Sequence, residues 1–241
     1  MRRGIFEPGA PREATIELPV HCGLIRHPQG NALFDTGCHP TVAQDAAGRW
    51  GDLARVMVPL HRPAENAVDQ LACLGVRPGD IDVVVCSHLH PDHCGCSTLF
   101  PRATVICHGR ELAAAQAEGA RAIGYLAAEW QRDTPMQLID GEHDLFGDGR
   151  VTLLPMPGHT PGMVCALLAL DRDGAFLLAS DAVSVRASLD GDYAPRNTWD
   201  AEALLRSMAD IRRIEAGGAT VVCGHDAAQW DGLRKGAAFY D

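Results

Sequence analysis

Residues 81–93 constrain this chain more than any other stretch. A continuous apolar run, Ile81 to Cys86, leads directly into Ser87-His88-Leu89-His90-Pro91-Asp92-His93. Such a run, rich in β-branched residues and without polar alternation, reads as a strand buried on both faces. Three imidazoles and a carboxylate in six residues are the donor types that suit zinc and similar first-row ions. His88 and His90 alternate along extended backbone and can face one metal. Asp92 and His93, one turn on, can reach a second. The fold must therefore deliver a crowded ligand set at the carboxyl end of a buried strand.

The same arrangement recurs along the chain. Ala32-Leu33-Phe34 reads as a strand ending at Asp35-Thr36-Gly37, and Val151 to Leu154 as one followed by Gly158-His159-Thr160-Pro161-Gly162. Ala175 to Ala179 precedes Asp181, and Ala219 to Cys223 precedes Gly224-His225-Asp226. Further strands are expected over Ala14–Val20, Cys22–Arg26, Thr104–Cys107 and Met163–Leu170. Helices are expected over Ala64–Leu74, briefly from Asp92, from about Arg110, and after Asp200 with Leu204, Leu205, Met208, Ile211 and Ile214 on one face. Residues 40–62 mix Gly, Pro and Trp50 and read as irregular. Alternating strands and helices give the α/β class. Ligands that follow strands converge at one edge of such a sheet, so residues far apart in sequence can share a site.

Bulk properties narrow the field. The chain has 241 residues, and 46% of them are hydrophobic, which suffices for one large domain, taken here as residues 1–241. No apolar run is long enough to cross a membrane. The opening Met1-Arg2-Arg3-Gly4 has no apolar segment behind it, so a cytoplasmic setting is expected. Nine cysteines, an odd number, several of them within apolar runs, read as buried thiols in a reducing compartment. A net charge of −10 with a single lysine, Lys235, argues against nucleic acid as a partner. A small-molecule substrate is expected instead. Composition leaves the oligomeric state open, a homodimer included.

The set His88-x-His90-x-Asp92-His93, followed by His159, Asp181 and His225, resembles the metallo-β-lactamase superfamily. The likeness runs from Leu18 to about Trp230. With Leu18-Pro19-Val20, Leu33-Phe34-Asp35-Thr36-Gly37 and the Pro157–Gly162 stretch, it is nearest to the N-acyl-homoserine lactonase branch. The resemblance implies a four-layer αββα sandwich and two divalent metal ions, with zinc as the default. It implies that His88, His90 and His159 hold one metal and that Asp92, His93 and His225 hold the other. Asp181 would bridge both, and Asp35 would orient ligand histidines. One departure stands out. The branch places a tyrosine three residues after the bridging aspartate, and this chain has Ser184, with Tyr193 as the alternative source of a hydroxyl.

The expected activity is that of a metal-dependent hydrolase acting on ester bonds. A hydroxide between two metals would open a lactone ring, an N-acyl-homoserine lactone or a relative of one. Asp92, Asp181 and Ser184 are the candidate catalytic residues, Asp92 as proton carrier to the leaving group. The alternatives on the same scaffold are a thioesterase of the glyoxalase II kind and a phosphotriesterase. Segments 40–62, 119–137 and 185–199 are the candidate pocket rim, with Trp50, Tyr125, Trp130, Tyr193 and Trp199 as its aromatic residues.

Overall fold

The computed structural model describes residues 1–133 and 136–241. The chain forms two compact units: a first unit of Val20–Leu138, and a second of Met1–Pro19 with Ile139–Asp241.

The first unit begins with a hairpin, β1 (Gly23–His27) and β2 (Gly30–Phe34), turned at Pro28-Gln29. Helices α1 (Val42–Trp50) and α2 (Ala67–Cys73) follow, then β3 (Val83–Val85), α3 (Pro91–Cys94), β4 (Thr104–His108), α4 (Gly109–Gln116), α5 (Ala127–Trp130) and β5 (Gln137–Ile139). The sheet order is β1-β2-β3-β4-β5, with β2, β3 and β4 parallel. Their carboxyl ends therefore share one edge, where Asp35 and His88 emerge. The core beneath holds Leu33, Ile81, Val84, Leu89, Phe100 and Val105, each 1% exposed or less.

In the second unit come β6 (His143–Asp144), β7 (Val151–Pro155), β8 (Val164–Leu170), β9 (Gly174–Ser180), α6 (Arg186–Asp190), α7 (Ala201–Ala216), β10 (Thr220–Cys223) and α8 (Ala227–Gly232). The order is β10-β9-β8-β7-β6; β7 and β9 are each antiparallel to β8, and β10 is parallel to β9. Hence β7, β9 and β10 run the same way, and His159, Asp181 and His225 leave the same edge. Helix α7 is capped by Asp200, whose side chain accepts from Ala203 N at 2.9 Å. Its Leu204, Met208 and Ile211 are buried in the unit's core, each contributing about 1.5–3 kcal/mol.

The α/β reading stands, with three corrections to the elements. Ala14–Val20 is not a strand; Thr15 makes an isolated bridge to Arg2, and the partner segment turns at once into a 3₁₀ helix over Arg3–Ile5, which ends the ladder. Residues 40–62 are not irregular throughout. Val42, Ala46 and Trp50 lie at helical spacing and form α1, kinked at Asp45 (φ −144°), and a 3₁₀ turn follows over Gly51–Arg55. Helix α2 begins three residues later than expected, where the Asn66 side chain accepts from Asp69 N at 3.1 Å.

Candidate metal centre

In the first unit the candidate ligand residues are organised around one carboxylate. Asp35 ends β2 with φ +60°, a left-handed conformation that aspartate tolerates better than most residues. Its Oδ1 accepts from Ser87 N at 2.8 Å. Its Oδ2 accepts from Ser87 Oγ at 2.8 Å and pairs with His93 Nδ1 at 2.9 Å. Ser87 Oγ in turn lies 3.0 Å from His88 Nδ1. The backbone of His93 is fixed as well, since Thr36 N and Oγ1 both donate to its carbonyl, at 2.7 and 3.1 Å. The rings gather: His88 and His90 have centroids 4.7 Å apart, and His88 and His93 4.1 Å. Asp92 Oδ2 lies 3.6 Å from His93 Nε2.

The second unit contributes a tighter group. Asp181 follows Ser180, another non-glycine residue with positive φ (+44°). Backbone held in a sparsely populated region at the end of a strand is the kind of strain that clusters at functional sites. Asp181 Oδ1 lies 2.8 Å from His225 Nε2, and Oδ2 lies 3.3 Å from His159 Nε2. His225 N donates to Ser184 O at 2.7 Å, and the His159 carbonyl accepts from Trp199 N at 3.1 Å. Two glycines make room. A Cβ on Gly224 would sit 2.7 Å from Asp181 Oδ1, and one on Gly158 would sit 2.3 Å from the Leu204 backbone. The His159 loop can press onto α7 only because residue 158 has no side chain.

The hydrogen bonds fix which ring nitrogen is a lone pair. His93 Nδ1 faces a carboxylate, and His225 Nδ1 faces the Pro19 carbonyl at 2.8 Å, so both carry the proton there. Ser87 gives its single proton to Asp35, so its oxygen accepts from His88 Nδ1. His90 is reversed: its Nε2 meets the Ile123 carbonyl at 3.1 Å, which leaves Nδ1 as the lone pair. In the neutral histidine, His225 then turns an acceptor toward an acceptor of Asp181, with both residues at most 6% exposed. That contact repels unless a positive charge lies between them. Imidazole nitrogens and carboxylate oxygens, with their remaining atoms held by acceptors, are the donor set of a divalent metal.

The remaining candidates sort by placement. Ser184 is 1% exposed; its carbonyl holds His225, and its Oγ is buried without a hydrogen-bond partner. The Tyr193 ring rests against Gly191, and its phenol is pushed up by burial and then by the Glu7 carboxylate. Cys94 and Cys96 are fully buried, and Cys96 Sγ donates to Cys38 O at 3.2 Å, so this pair packs rather than ligates. Burial, followed by the Asp92 charge, pushes the Cys38 thiol well up. Trp50 and Trp130 are core residues, whereas Trp199 is 57% exposed. Of the rim segment 119–137, residues 134 and 135 lie outside those described. Sequence reasoning placed Pro19 in the Leu18-Pro19-Val20 motif and Ile123 in the rim segment but gave neither a part in orienting a histidine, because each acts through a backbone carbonyl and leaves no side-chain signal.

A model of the metallo-beta-lactamase superfamily matches residues 15–225. The chain belongs to the metallo-β-lactamase superfamily. Within it, the N-acyl homoserine lactonase AttM of Azorhizobium caulinodans is 35% identical over 235 residues, covering 95% of this chain and 89% of that protein. The AttM lactonase of Agrobacterium fabrum is 33% identical, covering 94% and 89%. A solved quorum-quenching N-acyl homoserine lactone lactonase superposes with a TM-score of 0.86 at 22% identity, covering 100% of this chain and 93% of the other. The dizinc quorum-quenching lactonase AidC gives a TM-score of 0.64 at 16% identity, covering 93% and 79%. These two speak for the fold, which is the metallo-β-lactamase one. The expectation of a metal-dependent hydrolase acting on ester bonds agrees with superfamily membership. No helix among the described residues is long and apolar enough to cross a membrane.

Proposed function

We propose that this chain opens the ring of an N-acyl-homoserine lactone or a closely related lactone, with two divalent metal ions, zinc by default. The observation that carries the reading is Asp181. Each of its two oxygens faces a different histidine Nε2, as a carboxylate shared between two cations requires. His88, His90 and His159 would serve one ion and Asp92, His93 and His225 the other. Residues 1–241 would work as one functional domain. The pair of ions would supply Lewis acidity and a hydroxide available near neutral pH.

The chain's own residues account for the rest. Attack at the lactone carbonyl carbon would break the ring C–O bond; Asp92 would take the proton carried by the attacking oxygen and pass it to the departing alkoxide, leaving the ring-opened hydroxy carboxylate and an ionised Asp92. Asp92 suits that task because, unlike His88 and His93, it is not fully buried. The Ser184 hydroxyl, buried and without a partner, is available to donate to the carbonyl oxygen. Relatives named as N-acyl homoserine lactonases support the substrate class. So do two exposed apolar side chains joined to ligand histidines through backbone: Ile123, 61% exposed, by its carbonyl to His90, and Trp199 by its amide to His159. Nine free cysteines fit a cytoplasmic setting, where thiols stay reduced.

The test is turnover of a substrate panel by protein of measured metal content. The panel holds acyl-homoserine lactones of several chain lengths, simple lactones, a thioester, a phosphotriester and a cephalosporin. Two metals per chain with lactone turnover is the expected result. Turnover of the thioester or phosphotriester alone would overturn the lactonase reading, and full activity without metal would overturn the metal site.

A further inference from the structure

Glu111 is fully buried, an uncomfortable place for a carboxylate unless something holds it. It lies in the first turn of α4, where the helix end favours negative charge. Its Oε1 accepts from Leu89 N at 3.0 Å. Leu89 is the residue between His88 and His90, and its own side chain is fully buried.

The setting gives this bond its significance. Cys86 N donates to Ile106 O of β4 at 2.9 Å, just past the end of β3. Beyond it the chain leaves the sheet, and side chains take over. Asp35 accepts from Ser87 N and Glu111 from Leu89 N. Two carboxylates thus anchor the amide nitrogens of the residues on either side of His88, Ser87 and Leu89. The Leu89 peptide is the hinge on which the His88 and His90 rings turn relative to each other. Pro91 next along lacks an N–H and cannot add a third anchor.

We propose that Glu111 is a positioning residue, holding the Leu89 amide so that His88 Nε2 and His90 Nδ1 can meet the same metal ion. The inference rests on the proposed metal site, and the experiment separates the two. Metal-free protein is reloaded with cobalt(II), whose visible spectrum reports ligand number and geometry. Affinity is measured by competition with a chelator. Wild type must first bind two cobalt ions per chain; if it does not, the metal site itself fails before any variant is read.

Two variants then isolate the bond. Glu111→Gln keeps an oxygen acceptor at the same reach, and Glu111→Met keeps the length with no acceptor. The expected result is a near-native spectrum and affinity within about threefold for Glu111→Gln. For Glu111→Met it is an altered spectrum and about 10–100-fold weaker binding of one of the two ions, the usual effect of removing a group that orients a ligand. Were Glu111→Met not to fold, Glu111→Asp takes its place, since it keeps the charge but falls short by about 1.5 Å. Wild-type cobalt binding in the variant that cannot reach Leu89 overturns the inference. So does equal weakening in Glu111→Gln, which would make charge rather than the amide bond the operative property.

Discussion

Asp35→Asn should disarm the metal centre while leaving the fold in place. Asparagine is among the few residues that accept φ +60°, so the backbone at the end of β2 survives. The wild-type carboxylate accepts hydrogen bonds from Ser87 N (2.8 Å), Ser87 Oγ (2.8 Å) and His93 Nδ1 (2.9 Å). An amide has one accepting end. With its oxygen toward Ser87 N, its NH₂ points at Ser87 Oγ and His93 Nδ1, and both must become acceptors. His93 then carries its proton on Nε2. Ser87, now an acceptor from residue 35, donates its own proton to His88 Nδ1, which moves the His88 proton to Nε2 as well. That arrangement keeps each of these hydrogen bonds, so it is favoured in the metal-free protein, yet it caps the Nε2 atoms of His88 and His93 with hydrogen. Binding metal requires the opposite orientation, which sets an amide NH₂ against the Ser87 N–H. One such orphaned donor costs about 1–3 kcal/mol, and about 1.4 kcal/mol is a factor of ten. Metal affinity should therefore fall by about one to two orders of magnitude. Long-range proton–nitrogen NMR of the metal-free protein reads the tautomers directly, and chelator competition reads the affinity. Unchanged tautomers at His88 and His93, or wild-type affinity in a folded Asp35→Asn, would refute the reasoning.

Two further outcomes follow from the same geometry. Gly158→Ala drives a Cβ to within 2.3 Å of the Leu204 backbone, at φ +148°. A cost of about 2–4 kcal/mol, with about 2–4 °C lost per kcal/mol in a chain of this size, should appear as a clear drop in Tm by calorimetry; an unchanged Tm would show that the His159 loop does not depend on this close approach. Trp199→Ala should raise KM for long-chain acyl lactones about tenfold and leave short-chain substrates nearly untouched. About 60 Å² of apolar contact at about 25 cal/mol/Å² gives that factor, and equal KM changes across chain lengths would count against an acyl contact.

Much of the scaffold could be read from residue order. The runs around Phe34, Val84, Leu153, Leu177 and Val222 are strands, and the candidate site residues follow their ends. Helix α7 was legible in full because its cap, its apolar face and the Gly217-Gly218 stop agree. Residues 40–62 were misread because Gly48, Gly51 and the nearby prolines mask a helix held by tertiary contacts. Trp50 Nε1 and Arg49 both donate to the fully buried Glu129, 79 and 80 residues away in sequence. The strands β5 and β6 have three and two residues, too few for any periodicity to register.

The sequence by itself supplied the candidate donors, since histidines and aspartates at that spacing past buried strands have few uses other than holding metal. Tertiary structure alone decided how each donor is aimed. The proton on His93 is placed by Asp35, 58 residues away, and the proton on His225 by the Pro19 carbonyl, 206 residues away. His90 is turned the other way by the carbonyl of Ile123. A ring nitrogen is a ligand only while its partner nitrogen is occupied, and the occupant is a neighbour in space that the local sequence does not name.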